Sequence, residues 1–383
     1  MDSFCRCNTQ LIVDILKPPS QRNVQYISAS LPTIHSYSPK YMLKIPISVF
    51  GATGMVGQRM LSLLDAHPLF EIVTLCASPR SVGKRYEDAC QWRLETPCPS
   101  IFTDMVVQEC TPTSLPKECR LVLSALDSSV AGEIEQDLAE HGIFVVSNAS
   151  NHRMNPVVPL IIPEVNPNDL HLLTKQPWSG GILTNPNCCA IPLALSLAPL
   201  RQFGSIKGCM VSTWQAVSGA GYPGESAWDM IGSVHPHPGN EEEKLAIEPC
   251  KILGESFPIS ARCVRVPVAD GHLLSVQVHL EHTPTPEEAK SASNSWNQSL
   301  STLPSSPRPL FHINTRRDRP SSRFDVQRGN GMALSIGRVE PCPIMGLKYF
   351  VLSHNTIRGA AGAAIANAEL LAQHGFLTRG KTA

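Results

Sequence analysis

Two cysteines, Cys188 and Cys189, stand side by side in "TNPNCCAIPLAL". A thiol attacks carbon well only as thiolate, and a helix N-terminus, a nearby histidine and partial exposure all favour that form. The stretch reads as a loop entering a helix, with Asn187 as N-cap. Both cysteines then fall in the first turn, where the helix dipole favours negative charge. Successive helical residues point about 100° apart, so only one of the pair can face a substrate. Spacing does not choose between them. On residue physics alone, two buried structural cysteines are the simpler reading.

A second group lies in "RVPVADGH", Arg265 to His272. Val266 and Val268 alternate as in a strand, and the Asp-Gly turn would present His272. A histidine can activate a thiol and pass a proton to a reacting oxygen. An arginine on the same strand can grip a carboxylate through two parallel hydrogen bonds. Taken singly, His272 is one of 13 histidines, and a surface or hydrogen-bonded role is the bland reading. No pairing with Cys188 is visible in the sequence.

Such groups need a frame, and "KIPISVFGATGMVGQRMLSLLDAH" begins one. Ile45 to Phe50 reads as a buried strand. Gly51, Gly54 and Gly57 follow, and then a helix with Met60, Leu61, Leu63 and Leu64 on its apolar face. The glycines allow a tight turn and close approach to a pyrophosphate, which the helix N-terminus attracts. Strand, turn and helix in that order favour nucleotide binding over a plain glycine turn. Gly51, Thr53, Gly54, Met55, Val56 and Gly57 are the candidate cradle.

The next strand, "FEIVTLCAS", ends without the acid that NAD sites carry about 20 residues after the glycines. Ser78, Arg80, Ser81 and Lys84 stand there instead and suit a 2′-phosphate, so NADP is the expected cofactor. "CRLVLSALDSS", "VAGEIEQDLAEHG" and "IFVVSNAS" continue as strand, helix and strand. That alternation predicts an α/β chain with a parallel, doubly wound sheet and ligands beyond its C-terminal strand ends.

The 383 residues allow two or three domains, at roughly 150 residues each. Lys+Arg and Asp+Glu are 32 each, a balance that predicts neither nucleic acid nor an anionic membrane as partner. No apolar run reaches the roughly 18 residues of a membrane span. The 13 cysteines are odd in number and contain no Cys-x-x-Cys, which argues against a disulfide scaffold or zinc knuckle. A reducing compartment, the cytoplasm, is expected. Residues 1–44 are Ser/Pro-rich without apolar period and read as a disordered extension. Asp2 and Asp14 argue against a clean transit peptide, and an organellar address is the alternative. His235 and His237, two apart among prolines, read as a solvated loop, and no metal is expected.

Several motifs in one order resemble the aspartate-β-semialdehyde dehydrogenase family, in its archaeal and fungal branch. They are "FGATGMVGQ", "ASPRSVGKRY", "SNASNHRM", "LIIPEVNP", "TNPNCC", "QAVSGAGYPG", "NEEEKL", "RVPVADGH", "GNGMALSIGR" and "LSHNTIRGAAGAAIANAELL". They run from Ile45 to Leu377. The resemblance implies NADPH-dependent reduction of 4-phospho-L-aspartate to the semialdehyde and phosphate, reversibly, through a cysteine thioester. It points to Cys188 as nucleophile, because the family has Ser/Thr where Cys189 stands. It implies His272 as acid/base, with Asn187 and Gln215 shaping the site. Arg265 would hold the substrate carboxylate, Glu241 its amino group, and Arg153 and Lys244 the phosphate. Asn355 would lie near the nicotinamide.

The implied architecture is a Rossmann-like cofactor domain, residues 45–185 with 353–383, and an α+β catalytic and dimerisation domain, residues 186–352. A homodimer or homotetramer is expected. "QAVSGAGYPG" would be a flexible substrate-side loop. The alternatives are a paralogue reducing a related acyl phosphate or acyl-CoA, and a silent NADP-binding homologue.

Overall fold

Successive residues of a strand face opposite sides of its sheet, and both sides of the first sheet are covered. The computed structural model describes residues 44–236, 238–298 and 303–377. Strand β1 (Ile45–Phe50) leads into helix α1 (Met55–Leu64), then β2 (Phe70–Cys76). Next come β3 (Leu121–Ser124), α2 (Ser128–Glu140), β4 (Phe144–Ser147) and β5 (Gly181–Thr184). The five strands are parallel in the order β2-β1-β3-β4-β5. Ile47, Val49, Leu121, Leu123 and Val146 pack on the α1 side with Met60 and Leu61. Phe50, Val122, Val145 and Ile182 pack on the other side with Leu138 and Ala139 of α2. This is the expected doubly wound sheet. Its order reverses between β1 and β3, where a crevice opens for a ligand.

After β5 comes α3 (Ala190–Leu197), all of whose residues are buried, as expected for a helix apolar all round. A second sheet of seven strands follows. It contains β6 (Ile206–Gln215) and β7 (His235–Pro236), then α4 (Glu241–Leu253), β8 (Ile259–Arg265) and β9 (His272–Leu280). Helix α5 (Pro286–Gln298), β10 (Phe311–Asn314), β11 (Leu334–Cys342) and β12 (Gly346–Ser353) complete it. The order is β10-β11-β12-β9-β6-β8-β7, with parallel and antiparallel pairs mixed. One face packs on α3 and α4 through Val211, Leu274, Val276 and Val351.

The last helix, α6 (Gly362–Gln373), returns to the first sheet. Ala364, Ile365, Ala368 and Leu371 join the α1-side core. The helix does not run unbroken from Thr356 as its sequence suggests. A π-helical turn, Ile357–Ala361, precedes it. Such turns re-aim a helix next to functional groups, and here the turn brings Gly359 against Cys188. Arg358 on this turn donates from Nη1 and Nη2 to the two Glu164 oxygens at 2.7 and 2.6 Å.

Another departure concerns "RVPVADGH". Strand β8 stops at Arg265, and Val266 to Gly271 form a loop rather than an alternating strand. Pro267 has no N–H to donate to a ladder. The Asp-Gly pair leads directly into β9, which His272 opens, and Gly271 there has φ +101°. Among the described residues no helix is long and apolar enough to cross a membrane. Of the expected extension, residues 1–44, all but Lys44 lie outside them.

Candidate active site

The order reversal between β1 and β3 brings the glycine turn to the end of β3. Gly51 has φ +75°, and a Cβ there would stand 2.5 Å from Ala125 O. A Cβ on Gly57 would run into Gly51 O and Ala52, so the first turn of α1 lies directly on the turn before it. That leaves an open cradle with Met55 and Val56 at the helix start, suited to a pyrophosphate. Ser78 and Arg80 are exposed just past β2, while Ser81 is buried and donates its amide to Ser78 O at 2.8 Å. No carboxylate occupies that position, as the sequence indicates.

An open cleft of about 280 Å³ lies beside this cradle. Val56, Arg153, Asn187, Cys188, Glu241, Lys244 and Asn355 all line it. Asn187 caps the helix behind the nucleophile: its Oδ1 accepts the amides of Cys189 and Ala190 at 2.8 and 3.3 Å. Regular helix starts at Ala190, so the cysteines occupy the lead-in turn rather than the first regular turn. Ile191 still donates to Asn187 O at 3.0 Å, which aligns the turn with the helix dipole.

Burial separates the two thiols. Cys189 is 0% exposed and belongs to the core under the second sheet. Cys188 is partly exposed and opens on the cleft. The two sulfurs and a ring nitrogen of His272 all lie within 4.8 Å of one another. The Cys188 thiol is held well below the usual thiol range, first by the hydrogen bond from Cys189 and then by His272, against the opposing effect of burial. Burial pushes the Cys189 thiol up, and the neighbouring sulfur adds to that. The accessible, lowered thiol is thus that of Cys188, and the buried, raised one that of Cys189.

His272 opens β9 and is fully buried. Its Nδ1 accepts the Ala216 amide at 3.0 Å, so the proton of a neutral ring belongs on Nε2. Nε2 has no nitrogen or oxygen partner among the described residues and is available to a thiolate or developing oxyanion. Cys188, Cys189 and His272 are also the one group among those residues whose donor atoms lie close enough to hold a metal ion. Of the two loop histidines, His235 meets Glu225 Oε2 at 3.0 Å, and His237 lies outside the described residues.

The remaining polar groups come from two places. Gln215 ends β6 and Arg265 ends β8 in register beside it. Arg265 Nη1 donates to Gln215 Oε1 and Ala216 O, both at 3.1 Å. Helix α4 carries Glu241, Lys244 and Glu248 on one face, at the spacing that aligns helical side chains. Glu241 accepts from Asn187 Nδ2 at 2.9 Å, Gln215 Nε2 at 3.4 Å and Lys244 Nζ at 2.8 Å. Arg153, 7% exposed, donates to Glu248 Oε1 and Asn148 O, and its Nε is left without a partner. A buried free donor on a cationic group at the cleft wall suits an oxyanion. Asn355 accepts the Gly271 amide and donates to Ser218 Oγ, each at 2.8 Å. "QAVSGAGYPG" is in part a 3-10 turn, Val217–Ala220, tied by Ser218 to Asp270 at 2.7 Å.

Sequence reasoning passed over Glu248 and Glu225. Glu248 had a signal, since it falls seven residues after Glu241 on an amphipathic helix. Glu225 had none, being a loop residue 40 positions from its arginine.

Doubly wound sheet, glycine cradle, lowered thiol and adjacent imidazole are together the parts of a dinucleotide-binding dehydrogenase. Comparison with known proteins agrees. Residues 46–173 match the family described as semialdehyde dehydrogenase, NAD binding domain, and residues 197–358 its dimerisation domain. An aspartate-semialdehyde dehydrogenase of Archaeoglobus fulgidus is 42% identical, over 86% of this chain and 98% of its own. That of Candida albicans is 42% identical over 84% and 96%. A crystal structure of the Candida albicans enzyme with NADP superposes with TM-score 0.79 at 36% identity, covering 87% of this chain and 100% of the other. The chain belongs to the aspartate-semialdehyde dehydrogenase family.

Proposed function

We propose that this protein interconverts 4-phospho-L-aspartate and L-aspartate 4-semialdehyde with release or uptake of phosphate, using NADP. The single observation that carries the reading is the Cys188 sulfur beside His272 at the mouth of a dinucleotide cradle. Bound NADPH would supply hydride. Gly51, Gly54, Gly57 and the start of α1 would hold its pyrophosphate, with Thr53, Met55 and Val56 in contact. Ser78, Arg80 and Ser81 would meet the 2′-phosphate, and Asn355 would wall the nicotinamide side.

Cys188 thiolate attacks the acyl carbon; the carbon–oxygen bond to phosphate breaks and phosphate leaves with the electron pair. Arg153 and Lys244 neutralise that anion. The enzyme is left as a thioester on Cys188, which divides one high barrier into two lower ones. After reduction, His272 Nε2 gives its proton to the oxyanion. Returning that proton to the ring restores the carbonyl and expels Cys188 as thiolate. Asn187 and Gln215 shape the site around the acyl group through Glu241. Arg265 grips the α-carboxylate, and Glu241 takes the ammonium. A fixed arrangement of this kind contributes through orientation and preorganised charge.

Residues 45–185 with 353–383 would form the cofactor-binding domain, and residues 186–352 the catalytic and dimerisation domain. The family's dimerisation domain supports a homo-oligomer; a homodimer or homotetramer through the second sheet is the proposed form, and light scattering would size it. The cytoplasm is the proposed compartment. The decisive assay follows NADP reduction with L-aspartate 4-semialdehyde and inorganic phosphate. Phosphate-dependent turnover, abolished in Cys188→Ala, supports the proposal. Turnover only with another acyl substrate, or NADP binding with no turnover, overturns it.

A further inference from the structure

A guanidinium offers two edges for a two-point grip on a carboxylate: Nη1 with Nη2, and Nε with Nη2. Arg265 has spent the first. Both protons of Nη1 are taken, by Gln215 Oε1 and Ala216 O at 3.1 Å each. Only the Nε/Nη2 edge is left, and it is half occupied. Nε donates to Glu225 Oε1 at 3.2 Å. The other oxygen, Glu225 Oε2, meets His235 Nδ1 at 3.0 Å. Nη2 has no hydrogen-bond partner among the described residues.

We propose that Glu225 is an internal placeholder for the substrate's carboxylate and helps set the specificity of that subsite. The inference rests on the proposed function, which assigns the α-carboxylate to Arg265. Without a substrate, a nearly buried arginine left unpaired would be costly, and Glu225 keeps it paired. On binding, the α-carboxylate takes the Nε/Nη2 edge and Glu225 withdraws. The withdrawn carboxylate is not stranded: its side chain is 23% exposed and His235 remains a partner. One carboxylate therefore replaces another. A ligand with no carboxylate has nothing to exchange for Glu225, and is rejected.

The test compares the wild-type protein with Glu225→Gln and, in case the amide repacks, Glu225→Ala. Removing the competitor lowers KM for L-aspartate 4-semialdehyde about two- to fivefold, the worth of one partly exposed ion pair. KM for phosphate, bound elsewhere, stays put. An unchanged or raised KM for the semialdehyde in both variants overturns the placeholder. Binding of L-2-aminobutyrate, which has the same amino-acid head and no reacting carbonyl, gives a second readout by saturation-transfer NMR. Should the wild type fail to turn over the semialdehyde, the proposed function falls. The aminobutyrate titration still decides the placeholder: tighter binding in Glu225→Gln upholds it, and equal affinity or no binding overturns it.

Discussion

Glu248 Oε1 accepts from Arg153 Nη1 at 2.9 Å across 95 residues of chain. The other oxygen of the same carboxylate accepts the Asn187 amide at 2.6 Å. One buried group thus joins Arg153 to the loop that carries Cys188. Glu248→Ala leaves Arg153 without its ionic partner. Loss of one partner of a buried pair costs about 3–5 kcal/mol, read as a fall in the denaturant midpoint. Glu248→Gln, which keeps the shape, is expected to cost less. Equal stability of all three proteins would refute this account of the pair.

Cys188 is expected to alkylate with iodoacetamide before the other cysteines, in the full-length protein. Its thiol lies well below the ordinary value of 9.0, so thiolate persists, and the alkylation rate holds up, as pH falls through the normal thiol range. Cys189→Ala removes the neighbouring donor and should move the inflection upward. Cys189→Ser keeps a donor and should move it less. Mass spectrometry of the labelled peptide is the measurement. An inflection at the ordinary value in the wild type would contradict the lowered thiol.

Gly359 packs against Cys188 from the π-helical turn. A Cβ there would lie 2.7 Å from Cys188 Cβ and 3.1 Å from its Cα. Gly359→Ala must therefore displace one of the two. Misplacing a reacting group by about 1 Å costs on the order of a hundredfold in rate. The expected result is a collapse in kcat/KM with NADP affinity little changed. Wild-type kcat/KM in the variant would show that the contact yields at no cost.

Glu135 is a case where pH and stability are linked. Its Oε1 accepts Ser124 Oγ at 2.6 Å and Ser147 Oγ at 2.8 Å, under the ends of β3 and β4. Burial pushes its carboxyl up from 4.5 to about 7. A raised folded value means the folded state holds the proton more tightly. That stabilisation is fully present below 4.5 and is lost as pH rises through about 7. Glu135→Gln mimics the protonated form at every pH. Its melting temperature should match the wild type at low pH and exceed it at about pH 8, by up to about 3 kcal/mol in stability. A difference independent of pH would rule out the linkage.

Arg80 tests the cofactor preference. It is exposed past the end of β2 with no side-chain partner among the described residues. Arg80→Glu should raise KM for NADPH about tenfold or more, because a hydrogen bond to a charged group is worth about 1.5–3 kcal/mol. KM for NADH, which lacks the 2′-phosphate, should not rise with it. Parallel changes for both cofactors would remove Arg80 from the 2′-phosphate site.

The first sheet was legible because its signal is local. Ile47 and Val49 against Phe50, with glycines directly after, show a strand, its two faces and its ligand end within a dozen residues. The difference between Cys188 and Cys189 was only half legible. Adjacent cysteines at a helix entrance are visible, but the choice between them is made by a core assembled from β6, β8 and β9, which no window around position 188 contains. The valines of "RVPV" misled for a related reason. Alternation marks a strand only while backbone donors continue, and Pro267 withholds one. Glu248 followed the stripe of Glu241 and Lys244 and could have been read. Glu225 could not, since a loop carboxylate shows no pattern until folding lays it on Arg265.

The return of α6 to the first sheet has a bearing on synthesis. Its Ala364, Ile365, Ala368 and Leu371 fill a core begun by Ile47 and Val49, so β1 waits for residues made about 300 positions later. Many multidomain chains complete their N-terminal part first while still emerging from the ribosome. Here the core of the nucleotide-binding sheet lacks part of its packing until the entire second sheet has been made and α6 has followed it.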